Sequence, residues 1–340
     1  MNRASIPAFS YIRDTNDFIF ITLGLEINGD LLVGLVYVPD ENGKKIHPKT
    51  GVRYSRVYFD GHAHELKQIK SSVSPNQYRQ LQGLRSINPI DGEEYLLLPK
   101  NKIIDSSDPM KGLASLMTNP RLKFVIPYIE EALKICKMFD IPEQQVGIYG
   151  GLQAGLESVE TTNGRKLNDL DLVVYGVDQY SNLASLVQAR GSYVTSESKY
   201  FEKKDFRALI YPKRWSLSCF LLQKGMGCDV RIGRLPNDRN SYLDAWENIS
   251  KLVKETVNYE DAEVIDASES LSLPVAYTVK LKDARVLKVV SSYYSFIAVA
   301  TVGDKVRVSG CMVGSNYLLI TSSDPNEHYI IPDKVSVILK

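Results

Sequence analysis

Two short segments constrain this chain more than any others: Gly147-Ile148-Tyr149-Gly150-Gly151 and Asn168-Asp169-Leu170-Asp171-Leu172-Val173-Val174. The first reads as a buried strand followed by a glycine turn that opens a helix. The second reads as a strand carrying two carboxylates. Strand residues alternate faces, so Asp169 and Asp171 project to one side and Leu170 and Leu172 to the other. Two carboxylates on one half-buried face repel each other and lose hydration. A divalent cation between them removes that penalty. A glycine pair at a helix start offers backbone N–H groups to an anion. Metal beside phosphate is the combination that nucleotide transfer requires.

A third carboxylate extends the pattern. Ser216 to Leu222 has the composition of a strand, Lys224 to Gly227 that of a turn, and Gly227 to Ile232 that of the returning strand. Asp229 falls in the middle of that last run, between Cys228 and Val230, where a lone carboxylate is costly. With these residues in place, the chain resembles the nucleotidyltransferase superfamily, which has the DNA polymerase β-like fold. The shared motif is a Gly-Gly or Gly-Ser turn, then Asp-hydrophobic-Asp on a strand, then one Asp on a later strand. The run Asp169 to Gly176 is especially similar to a group of nucleotidyltransferases best known from archaea. Two departures stand out. Gly151 occupies the position of the family's usual serine, so that hydroxyl is missing. The segment from Leu152 to Asn168 is longer than the usual spacer, and its polar stretch with an Asn163-Gly164 turn signal reads as an inserted loop or hairpin.

Composition sets the outer bounds. The chain has 340 residues, 44% of them hydrophobic and 24% charged, as expected of a globular protein with a substantial core. A formal net charge of +1 gives no global attraction to nucleic acid. No apolar run approaches the roughly 20 residues of a membrane helix, so no membrane partner is expected. The first residues lack the apolar core of a signal peptide. The four cysteines (Cys136, Cys219, Cys228 and Cys311) are scattered and read as reduced core residues, which fits a cytoplasmic protein.

The expected fold class is α+β. A nucleotidyltransferase core of mixed sheet and helices, residues 116–256, is flanked by an N-terminal β-rich module, 1–115, and a C-terminal small β-barrel, 257–340. In the first part, apolar β-branched runs from Asp17 to Ile27 and from Leu31 to Val38 meet at Asn28-Gly29, a hairpin signal. The stretches Leu32 to Asp40 and Gly51 to Tyr54 resemble the N-terminal part of the archaeal group. In the second part, Leu122, Val125, Ile126, Ile129, Leu133 and Cys136 have helical spacing, with Pro127 in the first turn. Tyr180 to Ala189 reads as a helix, and Tyr242 to Lys254 as an amphipathic one with Leu243, Trp246, Ile249 and Val253 on one face. In the third part, Tyr277 to Val290, Ser295 to Val302, Lys305 to Met312 and Tyr317 to Thr321 alternate as strands of a small antiparallel barrel, OB-like or SH3-like in size.

The resemblance implies a metal-dependent transfer of a nucleoside monophosphate from an NTP to an acceptor hydroxyl, releasing pyrophosphate. Asp169, Asp171 and Asp229 become the catalytic carboxylates and the ligands of Mg²⁺ or Mn²⁺. Gly150 and Gly151 become nucleotide-binding donors, and Lys204 and Arg207 cations for the triphosphate. Lys203, Lys213, Arg214, Arg165 and Lys166 are further basic candidates, while Arg231 is read as facing away from Asp229. The acceptor is left open among RNA (tRNA included), protein and a small molecule. The alternative is a catalytically inactive nucleotide-sensing or nucleic-acid-binding module. His62 and His64 lack a third ligand in view, and His47 and His328 carry no signal. Tyr293, Tyr294 and Phe296 are the aromatic residues best suited to stacking on bases.

Overall fold

The computed structural model describes residues 2–3, 6–57, 73–87, 94–118, 125–158, 169–183, 227–235, 238, 240–293, 296–297, 299–321 and 327–333. The fold is mixed α+β and rich in strands, with a closed five-stranded barrel in its C-terminal region. The chain divides into two compact units, one of residues 1–175 and 222–236 and the other of 176–221 and 237–340.

The first unit contains thirteen strands among the described residues. They are β1 (Asn2–Arg3), β2 (Tyr11–Asp14), β3 (Ile19–Ile27), β4 (Asp30–Pro39), β5 (Lys45–Ile46), β6 (Arg53–Arg56), β7 (Arg85–Ile87), β8 (Glu94–Leu98), β9 (Ile103–Ser107), β10 (Val146–Ile148), β11 (Glu157–Ser158), β12 (Asp169–Tyr175) and β13 (Gly227–Gly233). Its helices are α1 (Pro75–Gln82), α2 (Pro109–Thr118) and α3 (Ile126–Met138).

Ten of these strands form one sheet, with β11-β5-β6-β4-β3-β2-β9 as its main path. The β3–β4 hairpin turns at Asn28 (φ 54°) and Gly29 (φ 91°), the positive pair that a two-residue turn needs to match strand twist. Alternate residues Leu31, Val33 and Leu35 of β4 join Ile12, Phe18, Phe20, Leu96 and Leu98 in one core. Full burial of each such side chain stabilises by about 1.5–3 kcal/mol. Leu81 of α1 closes that core. Ser74 and Gln77 begin α1 with a capping box, a signal visible in the sequence and passed over there. Helix α3 starts where the apolar spacing and Pro127 place it, and buries Ile129, Ala132, Ile135 and Cys136.

A second sheet, in the order β10-β12-β13, holds the motif strands. Its central strand β12 runs antiparallel to β10 and parallel to β13.

The second unit contains α4 (Ser241–Glu247), β14 (Leu252–Asp266), β15 (Val275–Lys280), β16 (Val286–Ser291), β17 (Lys305–Val313), β18 (Tyr317–Leu319) and β19 (Tyr329–Pro332). Pairings β14–β15, β15–β16, β16–β18, β18–β17 and β17–β14 close the barrel. The pair β16–β18 is parallel, so the barrel is not wholly antiparallel as expected. Its order, first-second-third-fifth-fourth and back to the first, is that of an OB barrel.

Several element boundaries depart from the sequence reading. Helix α4 stops at Glu247, where Asn248 donates its side-chain N–H to the Asp244 carbonyl. Val253, expected on a helix face, lies on β14 instead and is half exposed. Strand β14 escapes the sequence reading because exposed Val253 and Ile265 are apolar and Lys254, Glu255 and Thr256 run together, which breaks the alternation. The expected strand from Tyr277 to Val290 is a hairpin, turning through Ala284 at φ 68°. Residues 296–297 and 299–302 of the stretch Ser295 to Val302 form a short helical turn and bends rather than a strand.

Candidate functional site

Strand register supplies the central fact. Asp171 of β12 is aligned with Asp229 of β13, and Asp169 with Gly227. Aligned positions on adjacent strands lie about 4.8 Å apart. Two acidic positions far apart in the chain are thus neighbours in the sheet. Asp171 is half-buried, while Leu170 and Leu172 are fully buried on the opposite face.

The glycine turn packs directly against this strand. The Tyr149 N–H donates to the Asp171 carbonyl at 3.0 Å. Gly150 follows with φ +82°, a conformation that side chains rarely adopt. A Cβ there would lie 2.2 Å from Asp171 Oδ2. Gly150 is therefore required twice, once by its backbone and once by the carboxylate that occupies its missing side chain's place. Gly151 has no such conformational demand, and a Cβ there would meet only the Tyr37 hydroxyl at 3.5 Å. Neither the Gly150 nor the Gly151 N–H donates to a backbone carbonyl among the described residues.

The turn does not open a helix, contrary to the sequence reading. It closes after one revolution, with Leu156 N–H donating to the Gly151 carbonyl at 3.1 Å and Gly155 N–H to the Leu152 carbonyl at 3.1 Å. That pair of bonds, with Gly155 at φ +68°, is a Schellman ending. The chain then enters β11, which pairs with β5. The rest of the expected insertion, residues 159–168, lies outside the described residues.

Other parts of the first unit hold the turn and sheet. Gln153 donates to the Ser107 carbonyl at 2.8 Å. Gly147 lets the start of α2 approach β10, since a Cβ there would meet Pro109 at 2.8 Å. The buried Tyr175 hydroxyl donates to the Ala8 carbonyl at 2.7 Å, and burial raises its pKa well above the usual phenol value. His47 sits across from the end of the turn, its Nε2 3.7 Å from the Cβ position of Gly155 and its Nδ1 3.2 Å from Thr50 Oγ1. Burial, with Arg13 nearby, lowers the His47 pKa, so this imidazole is neutral at pH 7. Sequence reasoning missed both Tyr37 and His47. His47 lies in no motif and Tyr37 has no assigned role within the stretch Leu32 to Asp40, and only the pairing of β5 with β11 and the packing of β4 bring them to the turn.

Arg231 corrects another expectation. Strand period two places positions 229 and 231 on the same face, not opposite faces. Arg231 is aligned with Val173 and is 2% exposed. A buried guanidinium thus shares the face that carries Asp171.

The remaining candidates divide plainly. Lys203, Lys204, Arg207, Lys213, Arg214, Arg165, Lys166, His62, His64 and Tyr294 lie outside the described residues, as do the side chains of Asp169 and Asp229. Tyr293 and Phe296 are not stacking platforms. They meet edge to face inside the barrel core, and the Tyr293 hydroxyl donates to the Thr321 carbonyl. Cys136 and Cys311 are buried and in no disulfide, and burial pushes the Cys136 thiol up to about 11. His328 is buried in the second unit, where it accepts from the Thr321 N–H. Among the described residues, no helix is long and apolar enough to cross a membrane.

Compared with protein families, with curated proteins and with solved structures, the chain matches none of them.

Proposed function

We propose that the chain is a metal-dependent nucleotidyltransferase, moving an NMP from an NTP to an acceptor hydroxyl with release of pyrophosphate. One observation carries the reading: the alignment of Asp171 with Asp229 on parallel neighbours, at a glycine turn whose open backbone abuts the Asp171 carboxylate. Two acidic positions side by side are a hard, oxygen-rich donor set, which suits Mg²⁺ or Mn²⁺. Asp169, Asp171 and Asp229 would hold the ion. When bound it supplies Lewis-acid stabilisation of the phosphoryl oxygens.

The chain's own groups do the rest. Asp229 accepts the proton of the attacking hydroxyl. The N–H groups of Gly150 and Gly151 donate to phosphate oxygens. Lys204 and Arg207 offset the charge of the departing pyrophosphate. The acceptor, whether RNA such as tRNA, a protein or a small molecule, is identified by supplying each with α-labelled ATP, CTP, GTP and UTP. Transfer of label that stops on chelation and on Asp171→Asn supports the reading. Label transfer that persists in both conditions overturns it.

Arg231 favours a second reading, a nucleotide-sensing or nucleic-acid-binding module without turnover. Its buried guanidinium lies on the carboxylate face and is a fixed cation that needs no metal. Binding of NTP without pyrophosphate release over every acceptor selects this reading.

A further inference from the structure

We infer that the β5–β6 hairpin is a docking surface for an RNA acceptor, gripped through its phosphate backbone, an assignment that rests on the nucleotidyltransferase reading. Residues 44–56 carry five cations, Lys44, Lys45, Lys49, Arg53 and Arg56, and no carboxylate. Over the whole chain 41 Lys and Arg balance 40 Asp and Glu, so the hairpin is a local excess of positive charge. Lys44, Lys49, Arg53 and Arg56 are exposed, and Lys45 is half-buried. Among the described residues no carboxylate forms an ion pair with Lys45, Lys49 or Arg53. Two acids precede the hairpin. Asp40 is taken up by the Ser55 hydroxyl and the Asn42 N–H, and Glu41 is exposed.

The scaffold under these charges is fixed. Tyr54 of β6 is fully buried, and Gly43 lets the chain close over it, since a Cβ there would lie 2.3 Å from the Tyr54 carbonyl oxygen. The loop is a closed turn, in which the His47 N–H donates to the Val52 carbonyl at 2.9 Å and the Gly51 N–H to the His47 carbonyl at 2.8 Å. Lys45 is aligned with Tyr54 and Ile46 with Arg53, so Lys45 and Arg53 stand on opposite faces of the hairpin and Lys49 in its loop. Strands about 4.8 Å apart with a rise of about 3.3 Å per residue keep these charges close to one Debye length of each other, so their fields add. On its other side β5 pairs with β11, Lys45 being aligned with Ser158. Strand β11 follows the glycine turn, and His47 Nε2 lies 3.7 Å from the Cβ position of Gly155 at the end of that turn. The positive hairpin therefore stands beside the segment that abuts Asp171.

Charge selects the occupant. Of the acceptors that the reading leaves open, RNA is the polyanion, and Lys and Arg that bind its phosphates release condensed counterions. No large apolar side chain of residues 44–56 is exposed, so the hairpin has nothing to insert into a lipid surface. Its aromatic residue, Tyr54, is buried and gives bases no platform to stack on. Cations alone hold the backbone in register and read no sequence.

The test uses the full chain and fluorescein-labelled oligouridine of about 20 nucleotides, read by fluorescence polarisation from about 50 to 200 mM KCl. Oligodeoxythymidine of the same length and phosphatidylserine vesicles are the competing probes. Lys45→Gln/Lys49→Gln/Arg53→Gln is expected to weaken oligouridine binding by about tenfold or more at the lowest salt. The same variant should flatten the log–log salt slope by about 2, since each neutralised phosphate of a single strand contributes about 0.7. Lys45→Arg/Lys49→Arg/Arg53→Lys keeps the charges and is expected to bind like wild type. Wild-type affinity and slope in the Gln variant overturn the assignment, and so does an equal loss in the charge-conserving variant. Tighter binding of the DNA or of the vesicles than of the RNA also overturns it. A chain that binds no RNA but transfers label to a protein or small molecule loses the docking surface and keeps the nucleotidyltransferase reading. RNA binding that depends on the hairpin, with label transferred to no acceptor, keeps the docking surface and overturns the nucleotidyltransferase reading.

Discussion

The motif sheet and the barrel handle buried polar groups in opposite ways. In the barrel the Tyr277 hydroxyl and the His328 ring are held by other groups of the same unit. The buried Tyr277 hydroxyl donates to the Phe296 carbonyl at 2.8 Å and accepts from the Val299 N–H at 3.0 Å, and burial raises its pKa far above the usual value. His328 is held by Thr321 on one ring nitrogen and Thr256 on the other. The motif sheet instead aligns two acidic positions, Asp171 and Asp229, sets Gly150 against the Asp171 carboxylate and places a guanidinium on the same face. Closed polar networks make a rigid core, whereas a carboxylate packed against a glycine turn, with a second acidic position aligned beside it, marks a candidate functional site.

The largest expected effect is at Asp171. Asp171→Asn preserves shape but removes the charge, and NMP transfer should fall by at least about a hundredfold, more than loss of an outer-shell partner costs a metal site. The melting temperature should hold or rise, because one of two aligned carboxylates is neutralised. A variant that transfers like wild type breaks the contrast between the two regions.

Tyr277→Phe probes the other side. It strands the Phe296 carbonyl and the Val299 N–H in the barrel interior, at a cost of about 1–3 kcal/mol. Urea unfolding should show that loss, while NTP affinity stays at the wild-type level. An unchanged unfolding midpoint would mean the hydroxyl contributes nothing net.

Gly150→Ala sharpens the contrast within the turn. The left-handed conformation alone costs a non-glycine residue about 1–2 kcal/mol, and the methyl must also displace the Asp171 carboxylate. Gly151→Ala meets neither demand and should shift stability by no more than about 0.5 kcal/mol. Equal unfolding midpoints for the two variants would contradict the geometry of the turn.

What was legible in the sequence follows from the range of the forces involved. The hairpin at Asn28-Gly29, helix α3 and strand β12 rest on local signals, namely turn chemistry, apolar period and β-branched runs, and they appear where expected. The single-turn ending at Gly155 is also a local signal, but the Gly150-Gly151 pair before it is equally compatible with a helix start. Strand β14 was hidden because exposed Val253 and Ile265 and the consecutive polar run Lys254 to Thr256 break its period. The alignment of Asp171 with Asp229 and the placement of Tyr37 and His47 depend on which strands pair and in what register. Hydrophobic pattern specifies a face but not a partner, so no local signal contains them.

The smallest expected effect is a pH dependence in the barrel. The Thr321 N–H donates to His328 Nδ1 at 3.1 Å, which makes Nδ1 an acceptor and places the neutral ring's proton on Nε2, toward Thr256 Oγ1 at 3.1 Å. Protonating Nδ1 would set a donor against a donor. Burial lowers the pKa below its ordinary 6.5, and Glu327 opposes that only in part. Above about pH 6.5 both folded and unfolded chains carry a neutral ring, so the full stability is present. As pH falls below 6.5 the unfolded chain takes up a proton that the folded chain refuses. Stability then declines toward the folded pKa, with a slope of at most about 1.4 kcal/mol per pH unit. His328→Asn retains an oxygen that can accept from Thr321 but cannot titrate. It should be less stable than wild type at pH 7.5, and the gap should narrow at pH 6.5 and again at pH 5.5 in urea unfolding. A gap of constant size across those three values would show that His328 takes up its proton equally in both states, and that its hydrogen bonds leave its titration unchanged.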